Sequence, residues 1–191
     1  MTGADPVLSV EMSSTGEVAC FGEDLEEAYM KAMLASGGTL PRKGIFLSLR
    51  GEEKHAALLA SLPDLQVLDV PLYATAETWQ FLHEQQIAAT LLHEEDGEVE
   101  DAFRQQRIDL AVVIVAGRLQ RDFDQNYVLR RLAIDCNIHL ITKIKQMRIF
   151  LHALASKELA GLPIKAWDEY QHNQPTEELI ISPETLLSTQ V

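Results

Sequence analysis

Lys54, Thr75, Thr78 and Arg118 are the residues that could act together on a ligand, because each closely follows a run that reads as a strand. After Ile45-Phe46-Leu47-Ser48-Leu49 comes Arg50-Gly51-Glu52-Glu53-Lys54. After the run ending at Tyr73 comes Ala74-Thr75-Ala76-Glu77-Thr78. After LAVVIV (110–115) comes Ala116-Gly117-Arg118. The chemistry they share is anion binding. Free N–H groups and the positive dipole end at a helix N-terminus attract phosphate or carboxylate. Two threonine hydroxyls add donors, and a lysine adds a point charge. A structural reading stands beside this one: Thr75 as a plain N-cap worth ~1 kcal/mol, Lys54 and Arg118 as solvated surface cations. Spacing alone leaves both open.

No catalytic constellation accompanies these residues. The chain has no GxSxG, GxxxxGK[ST] or HExxH motif, and no GxGxxG after a strand. His55, His83, His93, His139, His152 and His172 are scattered and read as surface or internally satisfied histidines. The run His93-Glu94-Glu95-Asp96, with Glu98 and Glu100, could hold a hard cation but reads better as an acidic solvated loop.

The elements that must position these groups follow from hydrophobic pattern. Residues 1–22 read as irregular or extended, punctuated by Pro6, Gly16 and Gly22. Asp24 reads as an N-cap, and Leu25, Ala28, Tyr29, Ala32 and Met33 form a helical stripe that Gly37-Gly38 ends. From Lys43 the pattern alternates. Strands are expected at 45–49, within 67–73, at 89–92, 110–115 and 139–141. Helices are expected at 52–60 (closed by Pro63), 76–85, 99–106, 127–136 and 143–156. Near-continuous apolar strands alternating with short helices predict an α/β fold with a five-stranded parallel sheet covered on both faces. In such a sheet, ligands bind beyond the carboxyl ends of the strands, where the winding reverses.

Composition limits the partners. Of 191 residues, 29 are Asp or Glu and 16 are Lys or Arg, a net charge of −13. That disfavours nucleic acid and anionic membrane surfaces, which need clustered cations. Cys20 and Cys136 form neither a CxxC motif nor a disulfide framework. No stretch reaches ~18 apolar residues, and the N-terminus lacks the features of a secretory signal.

The segment GADPVLSVEMSSTGEVACFGEDLEEAYMKAMLASG resembles the large chain of carbamoyl-phosphate synthase, which carries an ADPxLxxEMxSTGEVxxxG stretch where its second ATP-grasp unit ends. The resemblance continues through LSLRGEEK, LYATAET, RIDLAVVI and NYVLRRLAIDCNIHLIT, about four-fifths of the chain. It implies three parts: the end of an ATP-grasp unit with a linker helix (1–39), a regulatory domain of methylglyoxal-synthase-like, Rossmann-like three-layer fold (40–157), and a C-terminal tail (158–191). It also implies that the catalytic ATP-grasp regions lie upstream, so that Met1 marks a cut by cloning or gene splitting. This chain would then be non-catalytic and hold no cofactor, ATP and Mg belonging to the full enzyme. The implied partners are a small anionic effector, the ATP-grasp domains, a glutamine amidotransferase subunit and a second copy of the chain. The implied compartment is the cytoplasm, or the mitochondrial matrix for an arginine- or urea-type enzyme; pyrimidine synthesis is the other implied pathway.

By the same resemblance, Lys54 matches a lysine that contacts nucleotide phosphate. Thr75 and Thr78 match two threonines that contact phosphate or the effector's carboxylate. Asn126 matches an asparagine used by the N-acetylglutamate-dependent members. Other positions depart from the family. Glu94 stands where nucleotide-binding members have a second lysine and acetylglutamate-binding members a tryptophan. Val113, followed by Ile114, stands where an asparagine ends strand four, and Ala116 where a further asparagine contacts effector. Each lost partner for a charged group is worth ~1.5–3 kcal/mol. A degenerate domain kept for oligomerisation or subunit contact is therefore the main alternative to an effector-binding one. A methylglyoxal-synthase-type lyase is disfavoured: Asp96 and Asp101 lack the glycine context of that enzyme's catalytic aspartate.

Overall fold

The computed structural model describes residues 18–114, 125–157 and 161–171, with the side chains of 52–54, 125 and 171 outside that description. Helix α1 (Leu25–Ala35) starts where the sequence places it: Asp24 is extended and its carboxylate accepts the Glu27 N–H at 2.9 Å. It ends at Gly37, whose φ of 85° needs a residue without a Cβ. The N–H of Gly38 then returns to the Met33 carbonyl at 2.9 Å.

Strand β1 (Ile45–Leu49) is the centre of a parallel sheet. Around it, among the described residues, are β2 (Leu72–Ala74), β3 (Thr90–Leu91), β4 (Leu110–Ile114) and β5 (His139–Ile141), in the order β3-β2-β1-β4-β5. Ile45 pairs with Leu72 on one side and with Leu110 on the other. The chain thus winds outward from β1 through β2 to β3, then crosses to β4 on the opposite side. The expected switch of winding falls at β1/β4.

Both sheet faces are buried, which is why β1 and β4 carry unbroken apolar runs. Ile45, Leu47, Leu49, Leu110, Val112 and Ile114 point into a core shared with α1, α2 (Glu52–Leu59), α3 (Leu62–Val67), α4 (Ala76–Glu84) and α7 (Ile144–Ser156). Phe46, Ala111 and Val113 point the other way, toward α5 (Glu98–Arg104) and α6 (Gln125–Asp135). There Phe46 meets Phe103 edge-on at 5.3 Å. Each such fully buried side chain contributes roughly 1.5–3 kcal/mol by leaving water.

The structure corrects the sequence reading in three places. Pro63 does not close a helix: α2 ends at Leu59, and Pro63 sits in the first turn of α3, where a missing N–H costs nothing. The second strand, expected within 67–73, is Leu72–Ala74 and runs one residue past that window, because Val67 ends α3. The C-terminal tail contains a helix, α8 (Trp167–Gln171), that no periodicity announced. The entrance to β1 is held by Asp109, whose carboxylate accepts the N–H groups of Arg42, Lys43 and Gly44 at 2.8, 3.0 and 3.2 Å.

Candidate functional site

The loops after β1, β2 and β3 enclose a cavity of about 380 Å³ at the carboxyl rim of the sheet. Arg50 lines it from the end of β1. Thr75, Ala76 and Glu77 line it from the start of α4, and Leu92 to Asp96 from the loop before α5. The β4 side of this rim, residues 115–124, lies outside the described residues, and Arg118 lies there with it.

One wall suits an anion. Helix α4 opens at Thr75 with no side-chain cap among the described residues, and its first residues, Ala76 and Glu77, line the cavity with Thr75. The Thr75 hydroxyl is turned to the Ser48 hydroxyl of β1 at a long 3.4 Å rather than to its own helix, so the N-cap bond expected of it is not made. Glu77, which also lines this wall, accepts the N–H of Gly51 with its carboxylate at 2.8 Å. Gly51 itself has φ 94°, the geometry that turns the chain from β1 into α2.

The opposite wall is acidic. Glu94, Glu95 and Asp96 face the cavity, and Glu94 holds Arg50 in an ion pair of 2.9 Å. The Glu94 side chain is 16% exposed, and its second oxygen, Oε1, is buried and accepts no hydrogen bond from the described residues. An unmet acceptor of this kind costs roughly 1–3 kcal/mol, and a ligand N–H or O–H would satisfy it.

Of the other residues singled out from sequence, the two whose side chains are described, Thr78 and Asn126, do not line this cavity. Thr78 is fully buried behind it: its Oγ1 accepts the Leu49 N–H at 2.8 Å and donates to the Leu49 carbonyl at 3.0 Å. Strand β2 has ended by then, so Thr78 supplies the acceptor that β1 would otherwise lack. Asn126 sits in the first turn of α6, 1% exposed, engaged with a partner and away from the cavity lining. The backbone of Lys54 lies in α2; its side chain lies outside the described residues. Sequence reasoning passed over Arg50, Glu77 and Ser48, although position immediately after a strand is the signal that marks the first two. Among the described residues there is no cluster of three or more potential metal ligands, and no helix long and apolar enough to cross a membrane.

Comparison with known proteins agrees with this geometry. Residues 57–142 match the MGS-like domain family. The multifunctional protein URA2 of Saccharomyces cerevisiae is 38% identical over 168 residues, covering 81% of this chain and 8% of the relative. The multifunctional protein CAD of Squalus acanthias is 36% identical, covering 81% and 8%. The mitochondrial carbamoyl-phosphate synthase [ammonia] of Homo sapiens is 33% identical, covering 79% and 10%. The chain thus spans a tenth or less of the length of each of these relatives. The matched segment, the parallel five-stranded sheet and these identities show an MGS-like domain, homologous to the MGS-like C-terminal region of carbamoyl-phosphate synthase multifunctional proteins.

Proposed function

We propose that this chain is the regulatory domain of a carbamoyl-phosphate synthase and that the rim cavity is where it takes a small effector. The observation that carries the proposal is the uncapped start of α4 opening into that cavity beside Thr75 and Arg50. The ligand this arrangement favours is bipolar. A phosphate or carboxylate meets the α4 amides and the Thr75 hydroxyl, while a hydroxyl or amino donor meets Glu94 Oε1. Glu94 also opposes binding, because an incoming anion must compete with its carboxylate for Arg50. The domain performs no reaction itself; its neighbours in the full protein, the ATP-grasp domains and the amidotransferase, carry out carbamoyl phosphate synthesis.

A second reading is a domain kept for contact alone. It is favoured by the closure of the Thr78 hydroxyl on Leu49 and by the carboxylate at position 94. Thermal unfolding of the full chain with uridine and inosine monophosphates, N-acetylglutamate and inorganic phosphate separates the two. An effector at 100 times its Kd raises stability by ~2.7 kcal/mol. Thr75→Val should weaken that effect, and Glu94→Gln, which removes a competing carboxylate from the cavity, should tighten anion binding roughly 10-fold or more. No stabilisation by any compound, in the native chain or in Glu94→Gln, would leave only the contact reading.

A further inference from the structure

The end of the described chain returns to its beginning. Leu162 packs against the core, and beyond it Lys165, Trp167 and Tyr170 reach the segment that leads into α1. Trp167 meets Phe21 edge-on at 4.6 Å. Lys165 pairs with Glu23, and Lys157, at the end of α7, pairs with Asp24, the N-cap of α1. Lys31 joins the two segments: its ammonium reaches Glu27 at 2.5 Å, the Tyr170 hydroxyl at 2.7 Å and the Phe21 carbonyl at 3.3 Å. Lys31 and Lys165 both lie over the Tyr170 ring, 5.3 and 5.5 Å from its centre.

This contact is built differently from the rest of the fold. Phe46, Phe103 and Phe150 are fully buried, whereas Phe21 and Trp167 remain 44% and 56% exposed. The sheet domain is held by apolar burial, which simple salt does not screen. The returning segment is held mainly by ammonium groups against carboxylates and an aromatic ring, which salt does screen. We infer that residues 165–171 form an electrostatic strap over residues 18–24, tied in through Lys31 of α1, and that the two segments release together at ionic strengths that leave the sheet and α1 folded. The strap sets how firmly the chain entering α1 is held against the domain. This inference does not depend on the effector reading, since none of its residues lines the rim cavity.

Hydrogen exchange of the full chain tests it. Between ~0.01 M and ~1 M NaCl the Debye length falls from ~30 Å to ~3 Å. Protection of amides in 18–24 and 165–171 should fall in parallel, by roughly tenfold, while β1, β4 and the core-packed α1 stay protected. Lys165→Glu should open both segments at low salt, and adding Glu23→Lys should close them again. Acrylamide quenching of Trp167, taken as the difference from Trp167→Phe, should follow the same course. Unchanged protection across the salt range would overturn the strap. So would release of one segment without the other, or failure of the double charge exchange to restore closure.

Discussion

Replacing Thr78 by valine separates a structural threonine from a ligand-binding one. Valine keeps the side chain's shape and removes only the hydroxyl. In the native chain that hydroxyl serves both the N–H and the carbonyl of Leu49, at 2.8 and 3.0 Å, in a fully buried position. Without it the Leu49 N–H is buried with no acceptor, a loss of about 1–3 kcal/mol, and a further bond worth about 0.5–1.5 kcal/mol disappears. The extra methyl returns up to ~0.8 kcal/mol. The middle of these ranges gives a net loss of about 2 kcal/mol. For a chain of this size 1 kcal/mol moves Tm by roughly 2–4 °C, so the midpoint should fall by about 4–8 °C. Thr75→Val is the matched control: its hydroxyl makes one long contact of 3.4 Å, and the cost should stay under about 1 kcal/mol. Urea unfolding of both variants, with m unchanged, gives the comparison. If the two lose equal stability, Thr78 does not complete the end of β1 and the division of labour drawn here is wrong.

Asp109→Ala should cost about 2–3 kcal/mol in urea unfolding, since three successive N–H groups lose one charged acceptor. Gln86, just past the end of α4, has φ 59°, so Gln86→Gly should raise stability by about 0.5–1 kcal/mol. Burial of His139 lowers its affinity for a proton, so the unfolded chain binds more protons than the folded one just below about pH 6.5. Native stability should therefore fall relative to His139→Gln as pH drops from 7.5 to 5.5; a constant difference would contradict the burial.

The parts legible in sequence were those fixed by local pattern. Ile45–Leu49 and His139–Ile141 could be read residue by residue, because an apolar run bounded by glycine, lysine or threonine has few other uses. Asp24 was legible because capping is a three-residue event. Thr75 could be placed at the rim from strand order alone. The role of Thr78 could not, because it depends on β2 ending two residues before β1 does, a matter of register between distant segments. Glu94 was visible as a departure from the family pattern, but its pairing with Arg50 joins residues 44 apart. The strap lay in a stretch of mixed polar and aromatic residues with no period, since its order comes from charges on α1.

The outermost strands have a consequence for assembly. Among the described residues, the sheet ends on one flank at a two-residue strand, Thr90–Leu91, and on the other at a three-residue one, His139–Ile141. Flanks this short offer an incoming chain almost no ladder to extend, which is a common guard against unwanted strand pairing. A protein that docks on this sheet domain is then expected to approach through helix faces and loops. An interface of that kind can be changed by shifting side chains, without disturbing the sheet.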